Sequence, residues 1–131
     1  MALIYIDAAA RQNPAYAAGA AVIKEEGSRL EFTFDLGALD NHEAEWATLE
    51  HALDEAVRRS IRSVILHTDS KIITDSFDKQ YVKNKKYRAY FDRIRSITDD
   101  FDLFLISHTP RERNRSADHL AKKALYEYTR E

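Results

Sequence analysis

No cysteine occurs in this chain, which excludes disulfide bridges and thiolate-ligated zinc and is compatible with a reducing cytoplasm. No apolar stretch approaches the roughly 18 residues needed to cross a bilayer. The amino terminus lacks the basic-then-apolar plan of a signal peptide. A cytoplasmic protein with no membrane partner is therefore expected. The net charge is -2, which gives no global attraction to nucleic acid, so any such binding has to come from a local patch. Prolines are two and glycines three, and the turn signals are correspondingly few: Asn13-Pro14, Glu26-Gly27-Ser28, and Gly37 followed by Asp40-Asn41. What remains is ordinary for a globule: 131 residues, 44% hydrophobic and 32% charged. One domain over residues 1–131 with a single core is expected.

The first dozen residues organise the rest. Residues 2–9 form the first strand, and its apolar run from Ala2 to Ile6 has Leu3 and Tyr5 pointing to one face and Ile4 and Ile6 to the other. A short strand apolar on both faces is the central strand of a covered sheet. Asp7 falls into that run. It either starts a turn, as Asp often does, or is a buried charge that needs a partner such as a metal ion. Residues 18–26 and 29–36 make a hairpin. In its second strand Leu30, Phe32, Phe34 and Leu36 alternate with Arg29, Glu31, Thr33 and Asp35, the period of a sheet with one wet face near an edge.

A helix over residues 43–59 carries the stripe Trp46, Leu49, Leu53 and Val57. Glu45 borders that stripe, with Leu49, Ala52 and Ala56 at i+4, i+7 and i+11, whereas Glu43 does not. Glu45 thus faces the sheet, or else lies at the rim and snorkels. Residues 63–69 repeat the first pattern, an apolar strand ending in Asp69. Ser70 can cap the short helix that follows, with Ile72, Ile73 and Phe77 packing inward. Strand, helix and strand in this order form a right-handed crossover between parallel strands, and ligands bind outside the carboxyl ends of such strands.

Over residues 79–95 seven lysines and arginines are set against Asp92 alone, with Tyr81, Tyr87, Tyr90 and Phe91 interleaved. Such a mixture can follow a phosphate backbone. We divide it: 79–88 for contact, including Lys83, Asn84 and Lys85, and 90–98 for the core. Residues 102–107 are a fifth strand, and the last helix covers 114–128. Asp118, with Ala121 at i+3 and Leu125 at i+7, borders the inward stripe of that helix; complementing the helix dipole is its other explanation. Ahead of it, Arg111-Glu112-Arg113-Asn114-Arg115 is a basic loop able to hold a phosphate. Four acids converging on one sheet edge repel one another, and the usual resolution is a hard divalent ion with oxygen ligands. Two Mg²⁺ ions about 4 Å apart are a known device for cleaving phosphodiesters.

Taken in order, several segments resemble ribonuclease H type 1 in its compact, reverse-transcriptase-like form. They are Tyr-Ile-Asp7 with Asn13-Pro14, Asn41-His-Glu-Ala-Glu45-Trp-Ala-Thr-Leu, His-Thr-Asp69-Ser70, Tyr81-Val-Lys-Asn84, and Pro110-Arg-Glu-Arg-Asn114-Arg-Ser-Ala-Asp118-His-Leu-Ala. The resemblance implies an α/β fold with a five-stranded mixed sheet in order 3-2-1-4-5, strand 2 antiparallel, flanked by helices. It implies that Asp7, Glu45, Asp69 and Asp118 bind two Mg²⁺ ions, or Mn²⁺ in their place, and hydrolyse the RNA strand of RNA–DNA hybrids. It further implies substrate contacts at Ala8, Asn13, Asn41, Ser70, Lys83, Asn84, Lys85, Arg113 and Asn114, the asparagines at 13 and 41 lying near the minor groove, where 2′-hydroxyls mark RNA. His108 stands where many members carry a histidine that helps product leave; a strand-end histidine is the other reading.

There are departures. Ala8 replaces the family's usual Gly after the first aspartate, and Ile6 its usual Thr. No basic protrusion follows Asp69, and no separate hybrid-binding domain is expected ahead of the fold, so weak, strongly salt-dependent hybrid binding is expected. Two alternatives stay open: a catalytically weak relative that binds nucleic acid, and a nuclease of the same fold acting on another duplex. A monomer is expected, with dimerisation through the edge of the third strand left open.

Overall fold

The computed structural model describes residues 1–130. Three strands, β1 (Ala2–Arg11), β2 (Tyr16–Glu25) and β3 (Ser28–Gly37), form the antiparallel meander. α1 (Asn41–Arg58) then crosses over to β4 (Ser63–Thr68), parallel to β1, and α2 (Lys71–Lys79) and α3 (Lys85–Thr98) lead to β5 (Leu103–His108), parallel to β4. After a 3-10 turn at Arg111–Arg113, α4 (Arg115–Thr129) completes the described chain. The strand order is β3-β2-β1-β4-β5, with β2 antiparallel to both neighbours, as expected. Among the described residues no helix is long and apolar enough to cross a membrane.

The main core lies on one face, where Ile4, Ile6, Val64 and Leu66 meet Trp46, Leu49 and Leu53 of α1, Ile73 and Phe77 of α2, and Phe91 and Ile94 of α3. The opposite face of the meander is covered by α4 through a row of alanines. Ala117, Ala121 and Ala124 are buried, and they have the spacing of one helical stripe. β2 is buried on both faces from Ala17 to Ile23, because its small side chains let helices approach from either side. Gly19 is the closest such approach: a Cβ there would stand 2.2 Å from Thr48 Oγ1 of α1.

Several boundaries differ from those expected. β1 and β2 run on to Arg11 and start at Tyr16, because the run Ala8–Ala10 pairs fully with Ala17–Gly19. Asp7 is consequently inside a strand rather than at its end. Val57 and Ile72, assigned to inward stripes, are 52% and 44% exposed. At that turn of α1 the buried positions are Leu53 and Ala56 rather than Val57, and α2 buries Ile73, Thr74, Ser76 and Phe77 instead. Tyr87, placed among nucleic-acid contacts, lies against Trp46 with ring centroids 6.4 Å apart.

Candidate functional site

Parallel pairing between β1 and β4 ends at Tyr5 and His67, while β1 continues. The notch left there, beyond the carboxyl end of β4, is where the acids meet. Asp7 and Asp69 flank it, Glu45 enters from the second turn of α1, and Asp118 enters from the first turn of α4. Together with Ala8, Asn41, Arg111 and Lys122 they line a cavity of about 350 Å³.

Local structure fixes each acid. Asp40 caps α1 by accepting from the Glu43 amide at 2.8 Å, and Glu45 turns to the notch. Glu43 instead accepts a hydrogen bond from Tyr90 at 3.0 Å and pairs with Lys86 at 3.3 Å. Ser70 is buried and caps α2, accepting from the Ile73 amide at 3.3 Å, which holds the turn carrying Asp69. Asn114 is also buried. Its side-chain amide donates to the Ile6 carbonyl at 2.8 Å, joining α4 to β1 so that Asp118 stands over Asp7.

Electrostatics set the acids apart. Burial, and then the Asp69 charge, push Asp7 up to about 7, despite the Ala8 amide that donates to it at 2.9 Å. Burial also raises Glu45 and Asp69. Burial works the same way on Asp118, but Lys122 at 3.1 Å, hydrogen bonding with Asp7 and Arg111 at 3.6 Å together hold it below the usual carboxylate range. Glu45 faces His42 at 3.4 Å. Among the described residues no three His, Asp or Glu side chains are closed around a single point as a finished metal site. The donor set nevertheless fits a hard divalent ion: four carboxylates, all hard anionic oxygen donors, line one cavity.

A consequence for stability follows. Asp7 binds its proton more tightly in the folded chain than in the unfolded one, so its contribution is full below about pH 4 and is lost as pH rises toward 7. Glu45 and Asp69 act in the same direction. Asp118 and His67, the latter held down by burial and Lys24, act oppositely. In EDTA, Asp7 should cost about 1–3 kcal/mol between pH 5 and pH 8, solvent screening at this partly exposed group included. Thermal melts of the wild type and Asp7→Asn across that range should diverge by this amount, and divalent ion should close the gap.

The remaining expected contact residues are dispersed. Asn41 opens α1 beside the acids. Asn13 sits exposed in the β1–β2 turn at φ 59°. Lys83 and Lys85 are exposed and make no ion pair among the described residues, and Asn84 caps α3. Arg113 is exposed and lines a separate pocket with Tyr5 and Lys24. His108 is exposed at the end of β5, close enough to bear on Asp69. Lys122 joins the site without any motif to mark it, its one sequence signal being the i+4 spacing from Asp118 that favours such a pair.

Residues 5–124 match the family model described as reverse transcriptase-like. The chain is 38% identical over 130 residues to EbsB of Enterococcus faecalis, spanning 98% of this chain and 96% of that one. It is 32% identical over 127 residues to ribonuclease HI of Halobacterium salinarum, spanning 92% of this chain and 62% of that protein. The crystal structure of the halobacterial RNase H1 superposes with a TM-score of 0.88 at 30% identity over 96% of this chain and 98% of that one. LC11-RNase H1, solved in complex with an RNA/DNA hybrid, superposes with a TM-score of 0.87 at 28% identity over 98% and 99%.

Proposed function

This chain belongs to the ribonuclease H type 1 family, and from that premise we propose that it hydrolyses the RNA strand of RNA–DNA hybrids at the notch bounded by Asp7, Glu45, Asp69 and Asp118. The observation that carries the proposal is the convergence of these four carboxylates on one cavity, with Asp7 pushed up to about 7 by burial and by Asp69. Paired divalent ions, Mg²⁺ or Mn²⁺, would be held by these four acids and would supply Lewis acidity toward the scissile phosphate and its leaving oxygen.

The chain's own residues do the rest. Asn41, at the cavity wall, is positioned to meet a 2′-hydroxyl, the group that separates RNA from DNA. Arg111 and Lys122 flank Asp118, offset the acidic cluster and stand where a phosphate would arrive. Lys83 and Lys85 lie outside the cavity, where they can track a phosphate backbone at a distance from the reacting bond. The Ala8 side chain projects where the family commonly has none, so it narrows the approach to Asp7. With few basic residues committed to the backbone, affinity for the hybrid should be low. All four acids come from one chain, and a cysteine-free composition is compatible with a cytoplasmic enzyme.

The test is a substrate panel: a labelled RNA–DNA hybrid, the same RNA single-stranded, an RNA duplex and a DNA duplex. Cleavage confined to the RNA strand of the hybrid, leaving 5′-phosphate and 3′-hydroxyl ends, is the expected result. Equal cleavage of the RNA duplex would favour the other-duplex alternative, and hybrid binding with no cleavage would favour the catalytically weak one.

A further inference from the structure

The two edges of the sheet are built differently. β3 carries Arg29, Glu31 and Asp35 along its wet face, the charged side chains that discourage a further strand from adding. β5 reads Leu-Phe-Leu-Ile-Ser-His and pairs with β4 alone. From 103 to 107 it holds no charge, proline or glycine. Leu103 and Leu105 are 37% and 49% exposed on the α4 side of the sheet, beyond the three strands that α4 covers, next to partly exposed Ile65 and Leu3. On the other face a trough of about 510 Å³ runs along the same strand, lined by Phe77, Phe101 and Phe104 together with Arg95 and Asp99. Both faces of this edge therefore offer apolar surface, and either row would be extended by one more strand.

We propose that the β5 edge is a self-association surface: two copies pair their β5 strands antiparallel about a twofold axis at Leu105, joining two five-stranded sheets into one of ten. Opposed residues of an antiparallel pair share a face, and this register makes the segment complementary to itself. Leu105 meets Leu105 of the second copy, Phe104 meets Ile106, and Leu103 meets Ser107. At each end Asp102, which Arg62 holds at 3.3 Å, comes opposite His108, so an acid faces an imidazole twice. A register centred one residue earlier would instead set Asp102 against Ile106. The antiparallel arrangement directs the two acidic cavities to opposite ends of the joined sheet, so both stay open. An interface of this size, under about 1,200 Å² in total, gives a weak, concentration-dependent dimer.

The full chain is tested by sedimentation equilibrium from about 5 to about 500 µM, a span suited to micromolar affinity. The weight-average mass should climb from one chain toward two. Leu105→Arg should raise the dissociation constant at least tenfold, and so should His108→Asp, which sets Asp102 against a second acid. Adding Asp102→His to the latter should restore association. Because the chain has no cysteine, Leu105→Cys provides an independent test. Opposed Cα atoms of an antiparallel pair are about 4.5–5.5 Å apart, within disulfide reach, so this variant should cross-link on mild oxidation while Leu103→Cys should not. A single-chain mass throughout would overturn the proposal, as would association indifferent to Leu105→Arg. Cross-linking of Leu103→Cys in place of Leu105→Cys would overturn the register.

Discussion

Asp7→Asn is expected to abolish hybrid cleavage while stabilising the protein in the absence of metal. The two effects have one cause. Asp7 lies inside β1 between Asp69 and Asp118, where burial and the Asp69 charge disfavour its ionised form. The amide keeps an oxygen able to accept from Ala8 but removes the charge. Without added metal the fold loses a repulsion, and the melting temperature in EDTA at pH 8 should rise by roughly 3–6 °C, corresponding to about 1–2 kcal/mol. With metal and substrate present, an anionic oxygen is missing from a site worth several kcal/mol of transition-state stabilisation, so activity should fall by at least about a thousandfold. Residual activity within tenfold of wild type, or a lower melting temperature in EDTA, would contradict this assignment.

Gly19→Ala should destabilise the fold by about 1–3 kcal/mol, the ordinary cost of overfilling a packed interior, and should reduce cleavage as well. The added Cβ would lie 2.2 Å from Thr48 Oγ1 and 3.0 Å from Thr48 Cβ and Cγ2. Thr48 cannot simply rotate away, because it is fully buried and its hydroxyl donates to the Ala44 carbonyl at 2.7 Å. The helix α1 must therefore shift, and Glu45 with it. A displacement near 1 Å at a reacting centre can cost about a hundredfold in rate. Thr48→Ala in the same chain removes the Oγ1 and Cγ2 contacts and leaves the Cβ contact at 3.0 Å, so it should restore a large part of both stability and activity. A double-mutant cycle should give a coupling of at least about 1 kcal/mol; strict additivity would show that the contact is not the cause.

Much of this architecture could be read from residue pattern. The alternation of Leu30, Phe32, Phe34 and Leu36 reports one half-buried strand, and the two-sided apolar runs around Ile4 and Ile65 report the covered centre, because burial acts directly on side-chain type. The choice of Glu45 over Glu43 follows from helical spacing alone. Where pattern failed, the determinant was a long-range contact. Ala8 to Ala10 carry no polarity contrast, so only pairing with β2 shows that the strand continues through Asp7 to Arg11. Asn114 has the look of a basic-loop residue offered to phosphate, yet it is buried against Ile6, more than 100 positions away. Val57 continues the phase of Trp46, Leu49 and Leu53, yet its neighbour Ala56 takes the buried position at that turn. Lys86 and Tyr87 lie in a stretch that reads as a nucleic-acid surface, but one pairs with Asp40 and Glu43 and the other packs on Trp46.

The most direct measurement is cleavage of a labelled RNA–DNA hybrid by the wild type and by Asp69→Asn in Mg²⁺, in Mn²⁺ and in EDTA, with folding of both proteins verified by circular dichroism. Cleavage by the wild type in either metal, absent in EDTA and absent in Asp69→Asn, is the expected result. A folded wild type that leaves the hybrid intact in both metals, or an Asp69→Asn protein that cleaves as well as the wild type, would contradict the assignment of these four carboxylates as the catalytic centre.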